Sequence, residues 1–245
     1  MKTDAPVLLD FDEVYPAQDF YTPGGCRWLR HGFMHGVGAY CSPRARQAVS
    51  RWLDQVTEPA VCFFGSGNYH YLCLLLLERI RRDFTLLLFD HHSDAQVPAF
   101  GRMLTCGSWV REALRTLPNL RQIVWVGATA GALPGLPARQ KWLTVPCAAA
   151  VGRQLIGAVR YPAYVSVDKD IFGRQTARTN WNQGTWNMED FVQVFTALTA
   201  GRPLLGMDVC GEFPARYGGP SEFRAASRLN SAANRRMLDL WRQAG

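Results

Sequence analysis

The chain has 245 residues, of which 48% are hydrophobic, so it can bury a substantial core and does not have the composition of a disordered protein. Its formal charge of +7 comes mainly from arginines that are scattered along the chain, which argues against a basic nucleic-acid-binding surface. The seven cysteines form no CxxC pair, which argues against a zinc-thiolate knuckle and against a disulfide framework.

Targeting signals are missing from the sequence as it stands. The first residues lack the basic and apolar regions of a secretion signal, and no apolar run approaches the roughly 20 residues that a membrane helix needs. We therefore expect a soluble, cytoplasmic protein that forms one domain over residues 1–245. We expect it to bind neither membranes nor nucleic acid, and its sequence is compatible with a homo-oligomer.

Apolar runs bounded by turns predict six buried strands, which begin near residues 7, 61, 85, 122, 163 and 204. Amphipathic or apolar segments between the strands predict helices at Arg44–Val56, Tyr71–Arg82 and Met188–Thr199, and a basic helix at Ser221–Gln243 closes the chain. This alternation predicts an α/β protein, a three-layer α/β/α sandwich with a mostly parallel sheet.

The second predicted strand ends in Ser66-Gly67-Asn68-Tyr69-His70, which places His70 at a strand-to-helix junction. A histidine in such a position is as often a capping or core residue as a metal ligand. Its significance depends on what the other strands place beside it.

The third predicted strand, Phe84 to Phe89, runs directly into Asp90-His91-His92-Ser93-Asp94. In open α/β sheets, ligands bind beyond the carboxyl ends of the strands. If the chain stays extended there, Asp90, His92 and Asp94 project to the same side and His91 to the other. Three side chains of metal-ligating type would then converge.

The fifth predicted strand repeats this pattern and ends in Asp168-Lys169-Asp170. On an extended chain the two acids face the same way and Lys169 points away, so they could join the other acids around a pair of divalent ions. Two histidines and four carboxylates suit Mn²⁺, with Fe²⁺, Co²⁺, Ni²⁺ or Zn²⁺ as alternatives, and four carboxylates balance the charge of two such ions.

Taken in order, the segments NYH, DHHSD and SVDKD resemble the motifs GGDH, DxHxD and SxDxD of the ureohydrolase superfamily, which includes arginase, agmatinase and formiminoglutamase. The resemblance runs from about His70 to Glu212 and implies an arginase-like fold. It also implies that six residues ligate two metal ions, typically manganese: His70, Asp90, His92, Asp94, Asp168 and Asp170. By the same resemblance, Asp94 orients the attacking nucleophile and Glu212 receives the guanidinium of the substrate.

The activity implied by the resemblance is that of a manganese-dependent hydrolase acting on linear amidines. It would cleave the guanidino group of a small arginine derivative, or of an arginine side chain in a peptide, to urea and an amine. Two alternatives stay open: an amide or formimino hydrolase of the same fold, and a non-catalytic metal-binding partner protein.

The sequence also departs from the family pattern. Asn68-Tyr69 replaces the Gly-Asp of the first motif, the segment that follows Asp170 lacks the family's further acid, and the interval from Asp208 to Glu212 is one residue longer than usual. Arginases have a proton-shuttling histidine about a dozen residues after DxHxD, where this chain has Thr105–Trp109. Three other histidines remain as candidates for that role: His31, His35 and His91.

Overall fold

A computed structural model describes residues 5–29, 35–56, 60–98, 101, 103–128, 136–146, 155 and 157–244. Strands alternate with helices through most of this chain. The strands are β1 (Val7–Leu8), β2 (Arg27–Trp28), β3 (Tyr40–Cys41), β4 (Val61–Phe63), β5 (Phe84–Phe89), β6 (Leu104–Thr105), β7 (Leu120–Val126), β8 (Trp142–Val145), β9 (Ala163–Asp168) and β10 (Leu204–Cys210). The helices are α1 (Pro43–Leu53), α2 (Leu72–Leu77), α3 (Trp109–Thr116), α4 (Met188–Thr199) and α5 (Pro220–Gln243).

Eight of these strands form one sheet in the order β2-β1-β4-β10-β9-β5-β7-β8, and every neighbouring pair is parallel. Because all the strands run the same way, their carboxyl ends lie along one edge. The four central strands β4, β10, β9 and β5 therefore deliver the residues that follow them to the same place.

Helices cover both faces of this sheet. Leu86 and Leu88 of β5 belong to a buried cluster with residues of α1, α2 and α3. Leu87 and Phe89, the alternate residues of the same strand, belong to a second cluster with residues of α4 and α5. This period of two places successive side chains in opposite layers, and the predicted three-layer α/β/α arrangement is confirmed.

All six predicted strands are present, but two edge strands of the sheet, β2 and β8, were not predicted. Both are short and only partly buried, so they lack the continuous apolar run that identifies a central strand. Ser42 caps α1 by accepting the backbone N–H of Ala45 at 3.2 Å. Helix α2 is shorter than predicted and ends before the exposed residues Arg81 and Arg82.

A small antiparallel pair, β3 with β6, lies outside the main sheet and pairs Tyr40 with Thr105. Among the described residues, no helix combines the length and the apolar character needed to cross a bilayer.

Candidate metal centre

Residues from three central strands meet at the carboxyl edge of the sheet. His70 follows a 3-10 turn, Gly67–Tyr69, that comes after β4, and Asp90 directly follows β5. Asp168 is the last residue of β9. All three side chains are buried, with exposed fractions of 3% or less. The parallel sheet thus gathers ionisable groups that are remote in sequence.

His70 lies at the centre of a first group of potential metal ligands. Its Nδ1 atom is 2.9 Å from Asp94 Oδ2, 3.2 Å from Asp90 Oδ2 and 3.7 Å from Asp168 Oδ2. Three carboxylate oxygens therefore lie around one imidazole nitrogen, and His70, Asp90 and Asp94 have one ligand atom each within 4.8 Å of the other two.

His92 lies at the centre of a second group. Its Nδ1 atom is 2.8 Å from Asp170 Oδ2 and 3.8 Å from Asp90 Oδ1. Asp90 belongs to both groups, because its Oδ2 atom faces His70 and its Oδ1 atom faces His92. The structure thus brings together all six residues that the sequence singles out as metal ligands.

Two buried atoms of the first group, His70 Nδ1 and Asp90 Oδ2, have no hydrogen-bond partner among the described residues. A buried polar atom left in this way costs about 1–3 kcal/mol, and more when it is charged. Both atoms point into the space between His70, Asp90 and Asp94, where a cation would satisfy them. The residues present therefore fit a metal ion.

Three carboxyl groups in this cluster, those of Asp90, Asp168 and Asp170, have raised pKa values. Burial is the largest cause for Asp90, whose pKa is well above its usual value, and repulsion from Asp170 adds to it. Burial and the charge of Asp170 also raise the pKa of Asp168 to about 7. Burial works to lower the pKa of His70, but interaction with Cys210 and hydrogen bonds to Asp90 and Asp94 outweigh this and leave it well above the ordinary value. A bound cation would relieve the crowding of like charges.

Hydrogen bonds behind His70 select its tautomer. The Ser166 hydroxyl donates to Asp208 Oδ1 at 2.7 Å, so its oxygen is free to accept the Nε2 hydrogen of His70 at 2.8 Å. If a cation displaces the second proton that the raised pKa holds on the ring, the hydrogen stays on Nε2 and the lone pair of Nδ1 faces the ion. A serine and a carboxylate behind a histidine are the kind of support that orients metal ligands.

Trp109, the first residue of α3, supports the site from another side, and the sequence did not identify it. Its indole N–H donates to Asp94 Oδ2 at 2.6 Å, and its ring lies 4.9 Å from that of His70. No local pattern connects a tryptophan at the start of a helix to an acid 15 residues earlier.

The chain is not extended through DHHSD, so the reason given for the convergence of these side chains is wrong. β5 ends at Phe89, and the residues after it turn, with Asp94 in the left-handed region at a φ of 47°. Asp tolerates this conformation better than most residues do. The backbone N–H of His92 donates to Asp90 Oδ1 at 2.6 Å and stabilises the turn.

The segment after β9 is likewise not extended. Lys169–Ile171 forms a 3-10 turn, and Asp168 caps it by accepting the backbone N–H of Asp170 at 3.0 Å. Asp168 therefore faces the His70 group, Asp170 faces His92, and Lys169 leaves on another side of the turn.

A pocket of about 230 Å³ opens over both groups. It is lined by Gly67, His92, Asp94, Gln96, Thr105, Cys106, Gly107, Asp168, Asp170 and Trp181. The indole of Trp181 is 42% exposed and forms part of its rim. A larger cavity of about 490 Å³ lies near Arg79–Arg82 at the other end of the strands, but its lining contains no acid or histidine.

Comparisons with known proteins agree with this architecture. No protein-family model matches the chain. An uncharacterized protein of Thermotoga maritima is 33% identical over 153 residues, which make up 62% of this chain and 58% of that protein. The match therefore spans less than two thirds of the relative's length.

Solved structures show a similarity that extends over more of the chain. The agmatine ureohydrolase of Thermoplasma volcanium superposes with a TM-score of 0.65 at 15% identity, covering 98% of this chain and 89% of that one. The formimidoylglutamase of Bacillus subtilis gives 0.63 at 10% identity, covering 98% and 87%. The arginase of Bacillus caldovelox gives 0.60 at 13% identity, covering 86% and 80%. The chain has the ureohydrolase fold.

Within the ureohydrolase fold, Glu212 lies in a buried hydrogen-bond network, and its predicted role in binding the substrate's guanidinium stays a prediction. Its buried carboxylate accepts hydrogen bonds from Lys169 Nζ, from Gln18 Nε2 at 2.8 Å, from Asn230 Nδ2 at 2.9 Å and from Asn234 Nδ2 at 2.7 Å. Both carboxylate oxygens are thereby occupied, and Glu212 is not among the described residues that line the pocket. In this structure it joins the turn after β9 to α5.

Gly211 explains this placement. Its φ is +87°, and a Cβ atom added to it would lie 2.4 Å from Asp168 Oδ1 and 2.6 Å from the backbone nitrogen of Lys169. Only glycine combines that conformation with so close an approach. The backbone therefore turns after β10 at Gly211, directly against Asp168 and Lys169, and Glu212 follows this turn.

The three histidines that the sequence offered as candidates for proton transfer differ in their surroundings. The ring of His91 packs against that of His92 at 5.0 Å, and burial and His92 lower its pKa. His35 is exposed ahead of β3, and His31 lies outside the described residues. Neither His91 nor His35 lines the pocket, so a role in proton transfer stays a prediction for all three.

Proposed function

We propose that the chain is a binuclear metal-dependent hydrolase that cleaves the C–N bond of a guanidino group to give urea and an amine, and that residues 1–245 form one such domain. The observation that carries this proposal is the position of Asp90. One of its oxygens is 3.2 Å from His70 Nδ1 and the other is 3.8 Å from His92 Nδ1, so a single carboxylate connects two ligand groups.

The two groups divide the ligands between two ions. His70, Asp94 and Asp168 would hold one ion, His92 and Asp170 the other, and Asp90 would contact both. Mn²⁺ suits ligands that are mostly carboxylates. When bound, a pair of divalent ions lowers the pKa of water enough to supply a nucleophile at neutral pH.

Asp94 is the residue best placed to orient that nucleophile. It lines the pocket, and Trp109 holds its Oδ2 atom by a hydrogen bond of 2.6 Å. The fixed indole leaves the carboxylate little freedom to rotate, so it presents the same face to the pocket throughout the reaction. Such positioning lowers the activation barrier of the hydrolysis, because the orienting group already has a fixed position in the folded protein and loses little entropy during the reaction.

The pocket suits a small planar cation. Four carboxylates balance two divalent ions, so a guanidinium entering the loaded site meets little net repulsion. The volume of about 230 Å³ accommodates a guanidino group and part of its alkyl chain, and the remainder of the substrate would lie near Trp181. A small arginine derivative and an arginine side chain in a peptide both meet this requirement.

The proposal is tested by elemental analysis of the purified protein and by assays of urea and ammonia release. The substrate panel contains agmatine, arginine, formiminoglutamate and an arginine-containing peptide. We expect two transition-metal ions per chain, and urea release that the variant Asp168→Asn abolishes. The matched control Asp239→Asn alters a half-exposed acid of α5 and should retain activity.

The outcomes separate the alternatives. Ammonia or formamide without urea would favour a formimino or amide hydrolase of this fold. Two bound ions without turnover of any compound in the panel would favour a metal-binding partner protein. Absence of bound metal from protein purified and refilled with Mn²⁺ would overturn the proposal.

A further inference from the structure

Cys210 lies beside the first ligand group, although the sequence did not single it out. It is the last residue of β10 and pairs in register with Asp168, the last residue of β9. Side chains paired in this way on adjacent parallel strands project from the same face of the sheet. The structure therefore places a thiol next to a predicted metal-ligating carboxylate.

The thiol of Cys210 lies close to the potential ligand atoms of Asp168 and His70. Cys210 Sγ is 3.3 Å from Asp168 Oδ2, the oxygen that is 3.7 Å from His70 Nδ1. One potential ligand atom from each of His70, Asp168 and Cys210 lies within 4.8 Å of the other two. Cys210 is fully buried, so solvent does not compete for it.

A second observation indicates that this space receives a ligand. His70 Nδ1 and Asp90 Oδ2, from the adjoining group that shares His70, are buried and have no hydrogen-bond partner among the described residues. A hydrogen bond from Cys210 to Asp168 does not satisfy either atom. A cation held by His70 would satisfy both, and Cys210 Sγ lies within 4.8 Å of a ligand atom of the same histidine.

We infer that Cys210 is a thiolate ligand of the ion held by His70, and that this position therefore selects a borderline ion such as Zn²⁺, Fe²⁺ or Co²⁺ over Mn²⁺. On binding, the S–H bond breaks, a bond from sulfur to the ion forms, and the proton leaves to solvent. The inference rests on the proposed binuclear site. It goes beyond that site by giving the two metal positions different ligands. The His70 position would have a thiolate, whereas the His92 group offers only imidazole and carboxylate ligands.

Cobalt spectroscopy tests this ligand directly. The full-length protein is stripped with a chelator, titrated with Co²⁺ and followed in the near ultraviolet. We expect a sulfur-to-cobalt charge-transfer band that saturates with one of two bound ions. The band should disappear in Cys210→Ser and persist in Cys26→Ser, which alters a half-buried thiol beside the edge strand β2.

Cys106→Ser is the decisive comparison, because Cys106 lines the pocket. Loss of the band in that variant, with retention in Cys210→Ser, would overturn the assignment. Metal competition provides a second readout. Cys210→Ser should bind Zn²⁺ about tenfold more weakly at the His70 position, while Mn²⁺ binding at the His92 position stays unchanged.

The wild-type protein alone also decides the question if Cys210→Ser does not fold. X-ray absorption of the zinc-loaded protein should show a sulfur neighbour at about 2.3 Å. Binding of two cobalt ions without a charge-transfer band, or of zinc without a sulfur neighbour, would refute the role of Cys210 and leave the proposed hydrolase intact. Failure to bind any metal would refute both.

Discussion

The indole N–H of Trp181 donates to Asn68 Oδ1 at 3.1 Å and joins the loop after β9 to the turn after β4. Asn68 replaces the second glycine of the first ureohydrolase motif, GGDH, and Trp181 lies in the segment where the third motif departs. Asn68 Nδ2 also donates to the hydroxyl of Tyr217 at 3.1 Å. Two residues at which the chain departs from the ureohydrolase motifs, Asn68 and Trp181, are therefore joined by a hydrogen bond next to the pocket.

Replacing Trp181 with Ala should raise the KM for a guanidino substrate more than it lowers kcat. A cation against an aromatic face gains about 0.5–2 kcal/mol, which corresponds to a roughly 2- to 30-fold effect on binding. Trp181→Phe keeps a ring but loses the hydrogen bond to Asn68, so it should retain most of the affinity. Steady-state kinetics of the metal-loaded protein measure both effects.

The control for this prediction is Trp28→Ala, which removes a half-buried indole from the edge strand β2. It should leave KM unchanged. Equal effects of Trp181→Ala and Trp28→Ala on KM would show that the rim does not contact the substrate.

Trp109→Phe should lower kcat about 10- to 100-fold while the protein still binds two ions. The substitution keeps the aromatic packing against His70 but removes the N–H that donates to Asp94 Oδ2. Asp94 can then rotate away from its position in the pocket. Kinetics together with elemental analysis distinguish this effect from loss of metal.

Trp142→Phe is the matched control for that substitution. It also removes one indole hydrogen bond, a contact of 2.8 Å to the carbonyl oxygen of Pro137 near strand β8. It should leave kcat unchanged. A normal kcat in Trp109→Phe would show that the orientation of Asp94 does not depend on the indole.

Much of the fold could be predicted from the sequence, because the central strands are continuous apolar runs that end in polar residues. Phe84–Phe89 is buried at every position, and its end at Asp90 marks the carboxyl edge of the sheet. Parallel strands then bring their ends together without further information from the sequence. The edge strands carry no such run, and they were missed for that reason.

The details of the site depend on contacts that leave no local signal. Trp109 and Asp94 are 15 residues apart, and Lys169 and Glu212 are 43 apart. The left-handed φ of Asp94 and the close approach of Gly211 to Asp168 are properties of turns. Spacing within an assumed strand cannot reveal them, which is why the extended-strand argument for the convergence of these side chains was wrong.

Lys169→Met should destabilise the protein by about 3–5 kcal/mol, the typical result of removing one partner of a buried ion pair. Lys169 and Glu212 are both almost fully buried, and Lys169 Nζ also donates to Asn234 Oδ1 at 2.9 Å. The single variant leaves a buried carboxylate without its cation. Denaturant unfolding of the metal-free protein measures the loss.

The double variant Lys169→Met/Glu212→Gln should recover part of this stability, because no unpaired charge remains. Lys141→Met is the control: it removes a partly exposed lysine that donates to the Leu120 carbonyl oxygen at 2.7 Å, and it should cost only about 1 kcal/mol. A double variant no more stable than Lys169→Met would show that the loss does not come from the unpaired carboxylate.

The metal-free protein should become less stable as the pH rises. Burial is the largest cause that raises the pKa of Asp168 to about 7 and that of Asp10 to about 6, from an ordinary value of 3.8. A carboxyl group with a raised pKa binds its proton more tightly in the folded chain than in the unfolded chain. Its favourable contribution is therefore fully present below about pH 4 and is lost as the pH rises to about 7.

Mn²⁺ should reverse this trend, because an ion and protons compete for the same carboxylates. Melting temperatures of chelator-treated wild type should fall between about pH 5.5 and about pH 8, and the gain on adding Mn²⁺ should be larger at the higher pH. Asp168→Asn removes one titrating group, so its metal-free protein should show a flatter pH dependence. A chelated wild type that becomes more stable across this range would mean that the buried acids are already ionised below it, and the charge crowding described for the site would then be absent.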